Sequence, residues 1–203
     1  ERGPQRIEPS DAEAARRTRS IVMFIGSLIH LLPKFNLPQS GGCKLGSRTV
    51  TPHFYALEHF GVDIKTTEKN YEVTCTPKKP EEIILYESGD TVTENVLFAA
   101  AKFPGTTTIK YASANYMVQE ICIFLQLLGV KIEGIGTTTL KVTGVESINQ
   151  NVSYTLSEDP TDSMFFLATA IVTNSTITIT RCPIEFLELE LLKLEKMGFK
   201  YTK

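Results

Sequence analysis

Phe124-Leu125-Gln126-Leu127-Leu128-Gly129-Val130-Lys131-Ile132 decides how the rest of the chain is read. An apolar helical pattern runs into a glycine, and an alternating apolar–polar segment follows it. A glycine there takes the left-handed conformation that ends a helix, and period-two alternation beyond it marks a half-buried strand. Two other stretches read the same way. They are Ala56-Leu57-Glu58-His59-Phe60-Gly61-Val62-Asp63-Ile64 and Lys193-Leu194-Glu195-Lys196-Met197-Gly198-Phe199-Lys200-Tyr201. Gly61, Gly129 and Gly198 fall 68 and 69 residues apart.

The correspondence extends upstream. Gly105-Thr106-Thr107-Thr108-Ile109-Lys110-Tyr111 and Asn174-Ser175-Thr176-Ile177-Thr178-Ile179-Thr180 read as β-branched strands, each starting 24 residues before its capping glycine. The first copy has a weaker counterpart near Asn36 to Gln39. Apolar helices precede these strands at Ile21–Leu32, Glu94–Phe103 and Ser163–Thr173, the first with a capping signal in Ser10-Asp11-Ala12-Glu13 and a stop at Pro33. Further strands open the second and third copies at Ile83–Tyr86 and Ser153–Leu156. A hairpin through Gly134-Ile135-Gly136 closes the second. The pattern predicts an α/β (α+β) fold, a βαβαββ unit repeated three times. Its boundaries fall in polar connections, giving units 1–80, 81–148 and 149–203.

Bulk properties exclude several classes. A net charge of −2, with no Lys/Arg tract interleaved with aromatics, gives no footprint for nucleic acid. The longest apolar run, Ile21–Leu32, is too short to span a bilayer, and no signal peptide is visible. Four dispersed cysteines without a CxxC pair argue against a zinc site or a disulfide framework and for a reducing compartment. The start, Glu1-Arg2-Gly3-Pro4, lacks an initiator methionine, which points to a fragment or a processed chain.

Gly41-Gly42-Cys43-Lys44-Leu45-Gly46-Ser47-Arg48 sets a thiol in a glycine-framed loop near an arginine, and Arg19 lies on the preceding helix. Nearby cations lower a thiol's pKa, and guanidinium forks bind carboxylate and phosphate. The alternative is a tight turn around a structural cysteine.

Leu37-Pro38-Gln39-Ser40-Gly41-Gly42-Cys43-Lys44-Leu45-Gly46-Ser47-Arg48-Thr49-Val50-Thr51-Pro52-His53, with Arg19-Ser20 before it and Thr93-Glu94-Asn95 after it, resembles the enolpyruvyl transferase family. Within that family it is most similar to the branch acting on UDP-N-acetylglucosamine. Gly105-Thr106-Thr107 and Leu128-Gly129-Val130-Lys131-Ile132-Glu133-Gly134 follow in family order. The resemblance implies repeated units of the inside-out barrel type, six in a full-length member, of which this chain aligns to the second, third and fourth. It implies transfer of the enolpyruvyl group of phosphoenolpyruvate to UDP-N-acetylglucosamine in peptidoglycan precursor synthesis, in the cytoplasm. No metal or organic cofactor is implied, and neither nucleic acid nor membrane is a partner. Cys43 would donate a proton, Arg19 and Arg48 would bind the anionic ligands, and the backbone of Thr49, Val50, Thr51 and Pro52 would contact the nucleotide. The family's Pro and Asp stand here as Thr49 and Thr51, and its Arg-Glu-Pro-Glu stretch as Ala114-Asn115-Tyr116-Met117. Its N-terminal Lys-Asn pair and its aspartate base fall outside the chain, so the missing lobe or a second copy is an expected partner. The competing expectation is an inactive relative or fragment that binds a sugar nucleotide or serves as an assembly module.

Among the remaining candidates, His30 and His59 read as structural, and His53 as either a site residue or a helix-end residue. Asp159 and Asp162 read as N-terminal caps. Glu185, Glu188, Glu190 and Lys193 read as a solvated helix face. Cys75, Cys122 and Cys182 read as core.

Overall fold

The computed structural model describes residues 9–39 and 49–203, with side chains from Glu13 onward. They form a mixed helix-and-sheet structure that divides into two compact units, 1–152 and 153–203.

The first unit begins with α1 (Pro9–Arg17), a 3-10 helix (Arg19–Phe24) and the short α2 (Ile25–Leu28). The sequence predicted one apolar helix over Ile21–Leu32, started by the Ser10–Glu13 signal. Instead that signal lies in α1, extended backbone at Thr18 separates it from the apolar segment, and that segment is divided between a 3-10 stretch and the single turn of α2. The cause is a side chain from elsewhere. In an α-helix the Gly26 N–H would donate to the Val22 carbonyl. Here Gly26 N donates to Asn95 Oδ1 at 2.7 Å, while Asn95 Nδ2 donates to Val22 O at 3.1 Å. The Asn95 amide sits between two groups that a helix would have joined, a recognised way to break a helical ladder.

Next come β1 (Lys34–Pro38), α3 (Thr51–Glu58), β2 (Val62–Thr66) and β3 (Asn70–Cys75), the strands forming an antiparallel sheet in the order β1-β3-β2. The chain continues through β4 (Glu82–Ile84), α4 (Asp90–Ala100), β5 (Gly105–Lys110), α5 (Tyr116–Leu127), β6 (Lys131–Glu133) and β7 (Thr139–Gly144). Its sheet runs β4-β5-β7-β6, with β4 and β5 parallel and the rest antiparallel. Residues 82–144 thus trace a βαβαββ path. The three-stranded sheet repeats its β5-β7-β6 portion strand for strand.

The alternation seen in the sequence is the alternation of burial. Along β3, Tyr71, Val73 and Cys75 face inward while Glu72 and Thr74 face out. Eight of the eleven residues of helix α4 are buried, the polar Thr93, Glu94 and Asn95 among them. It packs against α2 and α3, with Val92, Val96 and Leu97 inside a core that includes Ile25, Leu37, Leu57, Phe60, Ile83, Ile109 and Leu140. Each such side chain contributes about 1.5–3 kcal/mol on burial.

All three predicted capping glycines have positive φ, +80° at Gly61, +93° at Gly129 and +92° at Gly198. The latter two close six-residue caps, with Val130 N donating to Leu125 O and Phe199 N to Leu194 O, both as Schellman motifs require.

The second unit departs from expectation. It contains α6 (Pro160–Val172), a 3-10 turn (Ile184–Phe186) and α7 (Glu188–Lys196). The strands predicted at Ser153–Leu156, at Asn174–Thr180 and after Gly198 do not form there. A β-branched run becomes a strand only when another strand takes up its backbone groups, and none of these three segments pairs with another. Helix α6 is capped as read, with Asp159 Oδ1 accepting from Thr161 N at 2.7 Å. Cys182, expected in the core, is only half-buried, whereas Cys75 and Cys122 are buried. His59 is exposed at the end of α3 rather than packed.

A side chain at Gly26 has no room, because its Cβ would overlap the Asn95 backbone carbonyl. Gly26→Ala is expected to lower unfolding stability by roughly 2–3 kcal/mol. The neighbouring exposed Ser27→Ala should change it by less than about 0.5 kcal/mol. Urea melts of the two variants beside the parent chain check this.

Candidate functional site

Cys43 and Arg48 lie outside the described residues. The other predicted site residues come together. Arg19 opens the 3-10 helix, and its Nη2 donates to the Thr49 carbonyl at 2.5 Å, across 30 residues of chain. Thr49, Val50, Thr51 and Pro52 form the entrance to α3, where Thr49 Oγ1 accepts from Thr51 N at 3.1 Å and lies 2.5 Å from Thr51 Oγ1. Pro52 suits the first turn, which needs no amide donor, and its fixed φ preorganises it. Half-buried Arg19 and exposed Thr49 form one polar edge, and the chain enters it directly from the Cys43–Arg48 segment.

His53 backs this edge from inside. It is 5% exposed. Its backbone N donates to Val50 O at 3.0 Å, its Nδ1 lies 3.2 Å from Asn95 Nδ2, and its Nε2 lies 3.4 Å from Thr91 Oγ1. Gly26 N–H fixes which end of the Asn95 amide is oxygen, so Nδ2 is the donor and His53 Nδ1 must accept. The imidazole is therefore neutral, with its proton on Nε2, directed at Thr91. Burial, reinforced by the Arg19 charge, pushes the ring's pKa from 6.5 down to about 4. The sequence left His53 open between site and helix end. It sits in the first turn of α3, behind the site residues.

A second polar cluster surrounds the start of α4. Ser113 Oγ donates to Asp90 Oδ1 at 2.5 Å, Asn115 Nδ2 donates to Asp90 Oδ2 at 2.9 Å, and Thr93 Oγ1 accepts from Ser113 N at 3.0 Å. Glu94, one residue before Asn95, is 5% exposed. Burial, and then the neighbouring Asp90, push its carboxyl pKa upward. The resemblance picked out Glu94 and Asn95 only as part of a helix opening. What could have flagged Asn95 is its place as an amide inside an apolar helix, 69 residues from Gly26, an equally anomalous glycine.

Cys75 and Cys122 are structural. Burial raises the pKa of Cys75 and lifts Cys122 to about 12, so neither is a ready nucleophile. His30 is also structural, with Nε2 2.8 Å from Ala99 O and its ring edge-on to Phe103. Two cavities, of about 770 and 470 Å³, are lined by none of the predicted site residues. Among the described residues no group of three His, Cys, Asp or Glu side chains could hold a metal ion, and no helix is long and apolar enough to cross a membrane.

The chain belongs to the EPSP synthase (3-phosphoshikimate 1-carboxyvinyltransferase) family, which it matches over residues 3–203. Curated relatives carry a more particular name. A UDP-N-acetylglucosamine 1-carboxyvinyltransferase of Thermobifida fusca is 31% identical over 95% of this chain, and one of Treponema denticola is 33% identical over 83% of it. A third, from Bacteroides thetaiotaomicron, is 32% identical over 90%. The chain spans 45%, 39% and 42% of these three proteins, less than half of each. The solved enolpyruvyl transferase NikO from Streptomyces tendae superposes with a TM-score of 0.74 over 93% of this chain and 46% of that one, at 19% identity, so the fold is shared.

Whatever binds at this edge, His53 makes folding sensitive to acid. The unfolded chain protonates near 6.5 and the folded one only near 4, so between those values the unfolded state holds more protons. Stability is complete above about pH 6.5, declines as pH falls toward about 4, and loses up to about 3 kcal/mol from this group. His53→Gln should be less stable at neutral pH and show a much shallower decline over that window. Urea midpoints at about pH 7, 6 and 5 measure the difference.

Proposed function

We propose that this chain carries part of an enolpyruvyl transferase site that moves the enolpyruvyl group of phosphoenolpyruvate onto UDP-N-acetylglucosamine, with Cys43 as proton donor. The observation that carries this reading is the Arg19–Thr49 contact. It brings two segments that the resemblance assigns to ligand binding onto one edge, from which the chain runs into the Cys43–Arg48 segment. Family membership and the names of the three bacterial relatives support the same reading.

The chemistry divides into addition and elimination. In addition, the sugar hydroxyl oxygen bonds to C2 of phosphoenolpyruvate while its methylene carbon takes a proton from Cys43. The hydroxyl proton passes to a general base, which the family supplies as an aspartate from the part of the protein not represented here. In elimination, the new methyl carbon returns a proton to the Cys43 thiolate, the double bond re-forms, and phosphate leaves with the electrons of its bond to C2. Arg19 and Arg48 would hold the anionic ligands and offset charge as it develops. The backbone of Thr49–Pro52 would position the nucleotide. Both substrates are cytoplasmic metabolites, so the work belongs in that compartment. We read residues 1–80, 81–148 and 149–203 as successive repeats of the family's βαβαββ unit, the third taking up its strands in the complete protein.

Phosphate release from phosphoenolpyruvate in the presence of UDP-N-acetylglucosamine tests the reading. It is expected from the complete protein and to drop by at least about a hundredfold on Cys43→Ser, the scale of removing a general acid. Release that is unchanged in the variant would reject Cys43 as the donor.

A further inference from the structure

Four contacts form a closed circuit. Arg19 Nη2 donates to Thr49 O at 2.5 Å, and Thr49 leads into the first turn of α3, where His53 N donates to Val50 O at 3.0 Å. His53 Nδ1 meets Asn95 Nδ2 at 3.2 Å, and the same Nδ2 donates to Val22 O at 3.1 Å. Val22 lies in the 3-10 helix that Arg19 begins, so the path returns to its start. Asn95 Oδ1 accepts from Gly26 N at 2.7 Å, so turning the amide over would set Nδ2 against the Gly26 N–H and Oδ1 against the Val22 carbonyl, donor to donor and acceptor to acceptor. Asn95 is completely buried and touches no solvent.

We infer that Asn95, acting through His53, is a positioning residue that locks Arg19 and the Thr49–Pro52 backbone into a single rigid ligand-binding edge. The ligand's identity rests on the function proposed above, while the circuit itself does not. A buried amide that only filled space could be replaced by an apolar residue of its shape. This one makes three directed bonds to two separate segments, and both segments end at the proposed edge. Its donor end also sets the tautomer of His53. The ring then has one allowed orientation, with Nε2–H toward Thr91 Oγ1 at 3.4 Å.

Asn95→Asp separates positioning from packing. Its carboxylate can still accept from Gly26 N but cannot donate to His53 or Val22. His53 should then move its proton to Nδ1 or become charged, as read by long-range proton–nitrogen correlation NMR of the 203-residue chain. Calorimetric titration with UDP-N-acetylglucosamine supplies the functional arm. Asn95→Asp, Asn95→Ala and Arg19→Ala are each expected to weaken binding about tenfold, and the Arg19→Ala/Asn95→Ala pair no more than Arg19→Ala alone, as for residues acting as one unit. Wild-type binding that survives in the Asn95 variants, or losses that add in the double variant, would overturn the inference. If Asn95→Ala does not fold, His53→Gln enters the same cycle. If the wild-type chain binds no sugar nucleotide, the ligand reading fails, and hydrogen exchange still decides the circuit. Lost protection at the His53 amide in both Arg19→Ala and Asn95→Asp supports it, and unchanged protection rejects it.

Discussion

One side-chain amide governs the architecture of the first unit. Asn95 lies between Val22 O and Gly26 N, and both ends of it are used. An unsatisfied amide in an apolar interior costs on the order of 1–3 kcal/mol, so its bonds and the broken helix form together or not at all. The absence of a side chain at Gly26 gives α4 the close approach this needs. The buried face of α4 then packs against α2, which follows Arg19 in sequence, and α3, whose first turn carries Thr51 and Pro52. The interruption of the first helix, the glycine and the neutral histidine are consequences of one insertion.

The polar groups around α4 follow a gradient. Its first turn is exposed at Thr91 and held at Asp90 by Ser113 and Asn115, while a turn later Asn95 is fully enclosed. Groups along one helix thus pass from solvated to dry within about 6 Å of axis. Electrostatic effects strengthen in that direction, which is why the Arg19 charge registers on His53 even though Arg19 itself is partly solvated.

Much of this was legible in the sequence where the signal was local. Capping glycines at 61, 129 and 198, the hairpin through Gly134 and the Asp159 cap need only a few neighbouring residues, and each is found as read. What failed depends on distant groups. The apolar run 21–32 has a helical pattern, and a residue 73 positions from Val22 interrupts its ladder, leaving a 3-10 stretch and a short α-helix. The β-branched stretch 174–180 has strand composition, but strand formation is a property of a pair. Of the site, the sequence identified the Arg19 and Thr49–Pro52 segments through resemblance. It could not show that His53 and Asn95 join them, because that connection runs through space between three elements. Cys43 and Arg48 lie outside the described residues, and their part in the site is still the sequence's alone.

The strand order carries a further implication. In both sheets the last strand to be made lies inside: β3 between β1 and β2, and β7 between β5 and β6. As the chain leaves the ribosome, β1 and β2 have no ladder to join until β3 arrives, about 35 residues after β1. In the second sheet β5 can pair with β4 at once, whereas β6 has no ladder to join until β7 is complete. The first sheet therefore assembles in one late step and the second is completed by one, and a chain ending before Asn70 or Thr139 holds strands with open edges and apolar faces.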